Sequence, residues 1–365
     1  MIIRSEYDVA QNQCVEKCHA PENSSTLPPS PTFSLPPYVR QCFTDEAIMT
    51  TRKIIVSLSI LTINLLCTTS SLPHCWGQQA TPPPPAQLAD LSGLAWLSGD
   101  NFIGVHDAKT DEAEMMIPRI SDLQLPKDLT GITATSRRLT FNGVTPNDLE
   151  SIAKIPGSTE YLLVESGDSM QDPSVQRIFK AIPQRGQLQI ISQTQWPVKI
   201  TNVEGTAVAK LGDTYVFVFA ERSDNKPDTQ LSWITFDPET MNFAKQVNRI
   251  QFKSPDPERF NRVIVGLDID SEGTIYSVSA FDAESAGLPN PDNGPYAAGV
   301  YEIGTISLKD NTPSVELYSK PVEHALVDGF KIESIAVRKR KGSDKAEIFI
   351  GTDDENYGGT LRQLP

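Results

Sequence analysis

One pattern in this sequence leaves few folds open. A short apolar run opened by an acidic residue recurs, at Glu150, Glu204, Asp268 and Glu333. A polar turn follows, often with glycine, and then a strongly apolar run such as YLLV, YVFVFA or IFIG. That second run ends in another acid, at Glu165, Glu221, Asp282 and Asp353. The copies are NDLESIAKIPGSTEYLLVESGD from Asn147, NVEGTAVAKLGDTYVFVFAERSD from Asn202, VGLDIDSEGTIYSVSAFDAES from Val265 and KIESIAVRKRKGSDKAEIFIGTDDE from Lys331. A degenerate copy, LSGLAWLSGDNFIGVHDAK from Leu91, carries Ser92 and Gly93 in place of the opening acid and Asp107 as the second. Self-similarity at such a period marks an array of one supersecondary unit.

Two more strand-like runs lie between copies: VQRIFKAI and LQIISQTQW, LSWITFD and KQVNRIQF, GVYEIGTISL and SVELYS. No amphipathic helix is visible after residue 85. Four short strands per unit, joined by hairpin-like turns, predict an all-β fold, a β-propeller of four-stranded blades. The copies give five blades; six, with one unrecognised, is the alternative. The last blade stops after a third strand in GGTLRQL, so a strand near Ala86 to Asp90 is expected to complete it and close the ring.

The propeller is expected over residues 88–365, behind a targeting segment. MTTRKIIVSLSILTINLLC, from Met49, has a basic start and an apolar stretch, Ile54 to Leu66, too short for a comfortable membrane span. Residues 49–80 read as a secretory signal peptide, 81–87 as a Pro-rich linker, and 1–48 as a mis-annotated or disordered leader. Export implies a periplasmic or extracellular protein with no transmembrane domain in its mature chain. All five cysteines precede residue 80, so the propeller has neither a disulfide nor a thiol nucleophile.

The chain carries a formal charge of −14 over 365 residues, which argues against a nucleic-acid partner. A small-molecule ester or another unassigned ligand, bound by a monomer, is the expected partner. If the first strand of each blade lines the channel, Glu150, Glu204, Asp268 and Glu333 form a ring that faces it rather than a neighbouring blade. Crowded carboxylates stay ionised together only beside a cation or strong donors. Oxygen ligands with few histidines favour Ca²⁺ over a transition metal. The second set, Glu165, Glu221, Asp282, Asp353 and Glu355, is either a further layer of ligands or a set of turn residues bonding their own backbone.

The phrases DLESIA, VEGTAVA and IESIAV, with IFIGTDDENYGGTLRQL, resemble the phytase-like family described as having esterase-like activity. Glu333-Ser334-Ile335-Ala336, Glu204-Gly205-Thr206-Ala207 and Asp354-Glu355-Asn356-Tyr357-Gly358 carry the likeness. Propellers regulated by quorum-sensing signals and calcium-dependent lactonases share the same strand start. The resemblance implies a secreted propeller acting as a metal-assisted phosphoesterase or esterase. The Asp-Asp-Pro-Ala motif of β-propeller phytases is absent.

No Gly-x-Ser-x-Gly elbow is present in the mature chain. His106 beside Asp107 is the remaining catalytic candidate, as a base oriented by a carboxylate, or else a structural histidine. Arg222, Arg259, Arg262 and Lys331 are basic candidates scattered along the sequence. Arg338 to Lys341 reads as a solvated hairpin. Loops Glu221 to Gln230 and Asp282 to Gly299 are the expected pocket walls. Two functions follow. One is a Ca²⁺-dependent hydrolase of phosphate or carboxylate esters, its metal polarising the substrate and activating water. The other is a non-catalytic binding propeller whose cation is structural.

Overall fold

The computed structural model describes residues 88–107, 119–125, 135–144, 146–167, 176–223, 225–339, 343 and 345–365. All belong to the compact unit Ser71–Pro365. The expected leader, signal peptide and linker, all five cysteines, and residues 340 and 341 of the basic run lie outside the described residues. No helix among the described residues is long and apolar enough to cross a membrane.

The fold is all-β, a propeller. The first blade holds β1 (Gly93–Ser98), β2 (Asn101–His106), β3 (Arg119–Gln124) and β4 (Thr135–Asn142), and the second β5 (Leu149–Lys154), β6 (Tyr161–Glu165), β7 (Arg177–Gln184) and β8 (Gln187–Gln195). The third comprises β9 (Val203–Leu211), β10 (Thr214–Glu221), β11 (Asp228–Asp237), the short β12 (Asn242–Phe243) and β13 (Asn248–Lys253). The fourth is β14 (Arg262–Ile269), β15 (Thr274–Phe281), β16 (Ala297–Lys309) and β17 (Thr312–Asp328). The fifth is β18 (Ile332–Lys339), β19 (Ala346–Thr352) and β20 (Leu361–Gln363). Neighbouring strands within a blade are antiparallel, while β4 and β8 pair in parallel and join the outer edges of the first two blades.

Ring closure is visible in the packing. Among the described residues β1 meets β5, β5 meets β9, β9 meets β14, β14 meets β18, and β18 returns to β1. An apolar cluster fills each of these seams. Burial follows radius. β6 is buried throughout, and its sequence YLLVE is apolar on both faces because a blade packs on each side. The outer β13, NRIQFK, alternates instead.

Small residues set how closely the inner strands approach. A Cβ on Gly266 would lie 2.7 Å from the Glu333 carbonyl oxygen, and one on Gly93 2.9 Å from the Ser151 Cα. Real Cβ atoms do not come so near, so glycine is the residue that fits.

Two expectations change. The segment before β1 supplies no strand to the last blade among its described residues, 88–90. Instead Leu88 accepts from the Gly359 N–H at 2.9 Å, and the Leu91 N–H donates to Thr352 at 2.9 Å. So few residues separate Leu88 from β1 that the chain stays at the inner part of the seam. Secondly, β17 runs on to Asp328, past the expected end at Ser319. Pro321 is tolerated there because the register slips between Glu302 and Gly304, on an edge strand.

The closing seam is anchored by Phe102 of β2 and Phe349 of β19, both fully buried, with ring centroids 4.6 Å apart. Phe349→Ala is expected to cost about 3–5 kcal/mol of stability, the range for deleting a buried aromatic ring. Urea denaturation checks this through a lowered midpoint.

Candidate functional site

The inner strands share one register feature. Gly205 backs onto Gly266, Gly266 onto Glu333 and Ser334, and Gly93 onto Ser151. Aligning these small residues puts Ser92, Glu150, Glu204, Val265 and Glu333 at equivalent places. The fourth blade therefore has valine where the others have an acid or serine. Asp268, expected in the acidic ring, lies farther along β14. Its Oδ1 accepts the Ile269 N–H at 2.8 Å and its Oδ2 the Val337 N–H at 2.6 Å. Burial pushes its carboxyl up to about 7, with Asp270 adding to the rise and the two backbone donors and Lys154 opposing it. It ties the fourth blade to the fifth, away from Glu150, Glu204 and Glu333.

An arginine stands where the fourth blade lacks its acid. Arg262 Nη1 lies 3.1 Å from Glu333 Oε1 and 3.8 Å from Glu204 Oε2, and its Nη2 pairs with Asp282. Arg222 reaches Asp282 Oδ2 at 3.0 Å and Glu204 Oε1 at 3.8 Å. Lys331 Nζ reaches Glu333 Oε1 at 3.1 Å, Glu355 Oε1 at 2.6 Å and Asp353 Oδ2 at 3.8 Å. Glu204 and Glu333 are 4% and 3% exposed, so Glu333 is buried against its neighbouring blade rather than open to a channel. Buried carboxylates survive because charge-assisted hydrogen bonds replace water.

This arrangement does not fit calcium held by Glu150, Glu204, Asp268 and Glu333. Asp268 is elsewhere, and the Arg262 guanidinium sits between Glu204 and Glu333. Among the described residues, no three Asp, Glu, His or Cys side chains are grouped so as to hold a metal ion.

Glu150 is different. It is half-buried and makes no hydrogen bond or ion pair with a described residue. Burial pushes its carboxyl well above the usual carboxylate range, and Glu204, Asp107, Asp148 and Glu333 push it further. Glu150 is thus a protonatable acid beside carboxylates engaged by cations; Asp354, which burial pushes up to about 7, and Glu165, also raised by burial, are bonded to the backbone instead.

The second acidic set is mainly a set of staples. Glu165 accepts the backbone N–H of Asn147 at 2.8 Å and holds Arg177 at 2.6 Å. Glu221 accepts the Thr201 N–H at 3.1 Å, and Asp354 the Lys331 N–H at 2.6 Å. Each ties a second strand's exit to the chain entering the first strand. Asp282 caps its own turn through Glu284 and Ser285 N–H groups. Asp353 and Glu355 serve as partners of Lys331. Asp282 thus bonds its own turn as well as Arg222 and Arg262, and Glu165 and Glu221 bond to the preceding entry segment.

His106 is not a free base. It is 2% exposed, its Nδ1 meets the Asp90 carbonyl oxygen, and its Nε2 lies 2.8 Å from Ser121 Oγ. Asp107, by contrast, is half-buried and near enough to Glu150 to raise it. Arg259 leaves the rim and pairs with Asp328 at 2.5 Å. Arg338 is buried against Phe349 and bonded to Glu347 at 2.6 Å, so that part of the basic run is not solvated. The two expected wall loops do meet at the rim: Arg222 donates to Ser285 Oγ at 3.2 Å. Beyond it, Tyr296 packs edge-on against Tyr357.

No family model matches the chain, and no curated protein sequence matches it. Solved structures with a similar fold include Myxococcus xanthus glutaminyl cyclase, at 13% identity and TM-score 0.39 over 78% of this chain and 95% of that one. The Cellvibrio cellulosa α-L-arabinanase complexed with arabinohexaose gives 11% identity and TM-score 0.44 over 76% and 92%. The Bombyx mori GH32 β-fructofuranosidase BmSUC1 gives 13% and 0.41 over 77% of this chain, which spans 60% of that enzyme. The propeller assignment rests on strand order and seam packing, independently of these likenesses.

Removing Arg262 leaves Glu204 and Glu333 without their shared guanidinium. Arg262→Met is expected to cost about 3–5 kcal/mol, the penalty for breaking a buried pair. Adding Glu333→Gln should recover part of that loss in a denaturant double-mutant cycle. Glu150 supplies the opposite sign. Its raised pKa means the folded state holds the proton more tightly than the unfolded chain. Stability is therefore lost as pH climbs above the ordinary glutamate value. Glu150→Gln should match the wild type near pH 4 and melt at a higher temperature at pH 8.

Proposed function

We propose that this propeller is a hydrolase of neutral carboxylic esters, with Glu150 at the acidic rim as its general acid. The observation that carries the reading is the contrast between Glu150 and its neighbours. Glu204, Glu333, Asp282, Asp353 and Glu355 are engaged by Arg222, Arg262 and Lys331, whereas Glu150 has no partner among the described residues. A carboxyl pushed up by burial and neighbouring acids holds its proton more tightly than an ordinary glutamate and can deliver it to a leaving oxygen. Asp107, near enough to raise Glu150, is assigned the role of taking a proton from water. Pairs of acids whose surroundings drive their proton affinities apart divide the roles of acid and base in this way.

Charge selects the ester class. Acids outnumber the three cations on this rim among the described residues, so a phosphate monoester would meet repulsion. That disfavours the phytase-like branch of the sequence resemblance and keeps the esterase-like one. The cationic role expected of calcium passes to Arg262, Arg222 and Lys331, whose part is to hold Glu204 and Glu333 ionised beside the reacting carboxyl.

Hydrolysis of p-nitrophenyl acetate and butyrate by the purified chain tests the proposal. Glu150→Gln should lower kcat by about 10²–10⁴-fold, the usual weight of a general acid. Its folded structure should persist, and the alkaline limb of the pH–rate profile should vanish. Wild-type turnover at the background rate would support the binding-propeller reading instead.

A further inference from the structure

The other ends of the inner strands enclose a cavity of about 570 Å³. Its walls mix apolar and polar surface in nearly equal parts, the apolar part including Leu94, Ile152, Val208, Ile269 and Val337. Six charged side chains also line it: Lys154, Lys210, Asp268, Asp270, Arg338 and Lys339.

Four of these six are spent locally. Asp268 takes the Ile269 and Val337 N–H groups. Asp270 takes the N–H groups of Glu272 and Thr274, each at 2.9 Å. Arg338 holds Glu347, and Lys339 pairs with Glu272. The other two are lysines. Lys154 donates once, to the Leu97 carbonyl at 3.0 Å, and lies 4.5 Å from the centroid of the Trp96 ring, which also lines the cavity. Lys210 stands 5.0 Å from the Tyr215 ring and reaches the turn at Gly157 of the preceding blade. Neither lysine forms an ion pair with a described residue.

We propose that this cavity is a second binding site, for a small organic monocarboxylate whose apolar body lies on the inner-strand side chains and whose anion meets Lys154 and Lys210. An ammonium with one hydrogen bond made keeps two donors for a ligand. Small-molecule sites combine apolar wall with converging polar groups, and this cavity offers both. The site is at the opposite end of the inner strands from Glu150 and does not depend on the ester reading.

Calorimetric titration of the full chain with benzoate and hexanoate tests it, with benzamide, hexanamide and inorganic phosphate as controls. The carboxylates are expected to bind and the amides and phosphate to fail. Lys154→Met should weaken benzoate binding at least tenfold, Lys154→Arg should retain it, and Lys210→Met should weaken it with no change in melting temperature. Absence of binding by both carboxylates would overturn the proposal. So would equal binding of the amides or of phosphate, or unchanged affinity in a folded Lys154→Met chain.

Discussion

Carboxylates at the starts of inner strands cannot be left to water in this ring, and their neutralisation governs much else. Glu204 and Glu333 are sealed between blades, where an ionised oxygen without partners is very costly. One guanidinium resolves both, since Arg262 reaches Glu204, Glu333 and Asp282 at once. It comes from the one blade whose own acid position is Val265. The third, fourth and fifth blades are thereby joined by charge as well as by apolar seams. Glu150 makes no ion pair in that network, and burial raises its proton affinity.

The repeat that betrayed the propeller is a consequence of the same packing. Second strands are apolar on both faces because a blade lies on each side, and that signal survives in YLLV, YVFVFA and IFIG. The inner-strand acids were equally visible, but their alignment was not. Asp268 resembles a strand-opening acid, yet the element conserved across the ring's geometry is the small residue at Gly93, Ser151, Gly205, Gly266 and Ser334. Close backbone approach demands it, and that approach exists only between blades. Registering VGLDID on Gly266 instead of on its acid would have put Val265 in the acid's place.

Other features depend on contacts remote in sequence and left little local trace. Arg262 lies 71 residues from Glu333, and nothing near it in the chain marks it as a partner. His106 beside Asp107 looked like a catalytic pair, but the strand directs them apart, the imidazole into the seam and the carboxylate to the rim. The entry segment near Ala86 to Asp90 looked like a closing strand by elimination, and Leu88 and Leu91 at its described end show otherwise. Its hydrogen bonds go to the exit of β19 and the loop beyond, because β1 begins too soon for the chain to reach the outer edge.

The central claim is that a built-in guanidinium, not a divalent cation, neutralises the buried acids. A high-resolution crystal structure grown in millimolar calcium chloride tests it most directly. The account expects the Arg262 guanidinium between Glu204 and Glu333, with no ion bound to either carboxylate. A calcium ion coordinated by Glu204 and Glu333, with Arg262 displaced from both, would contradict it.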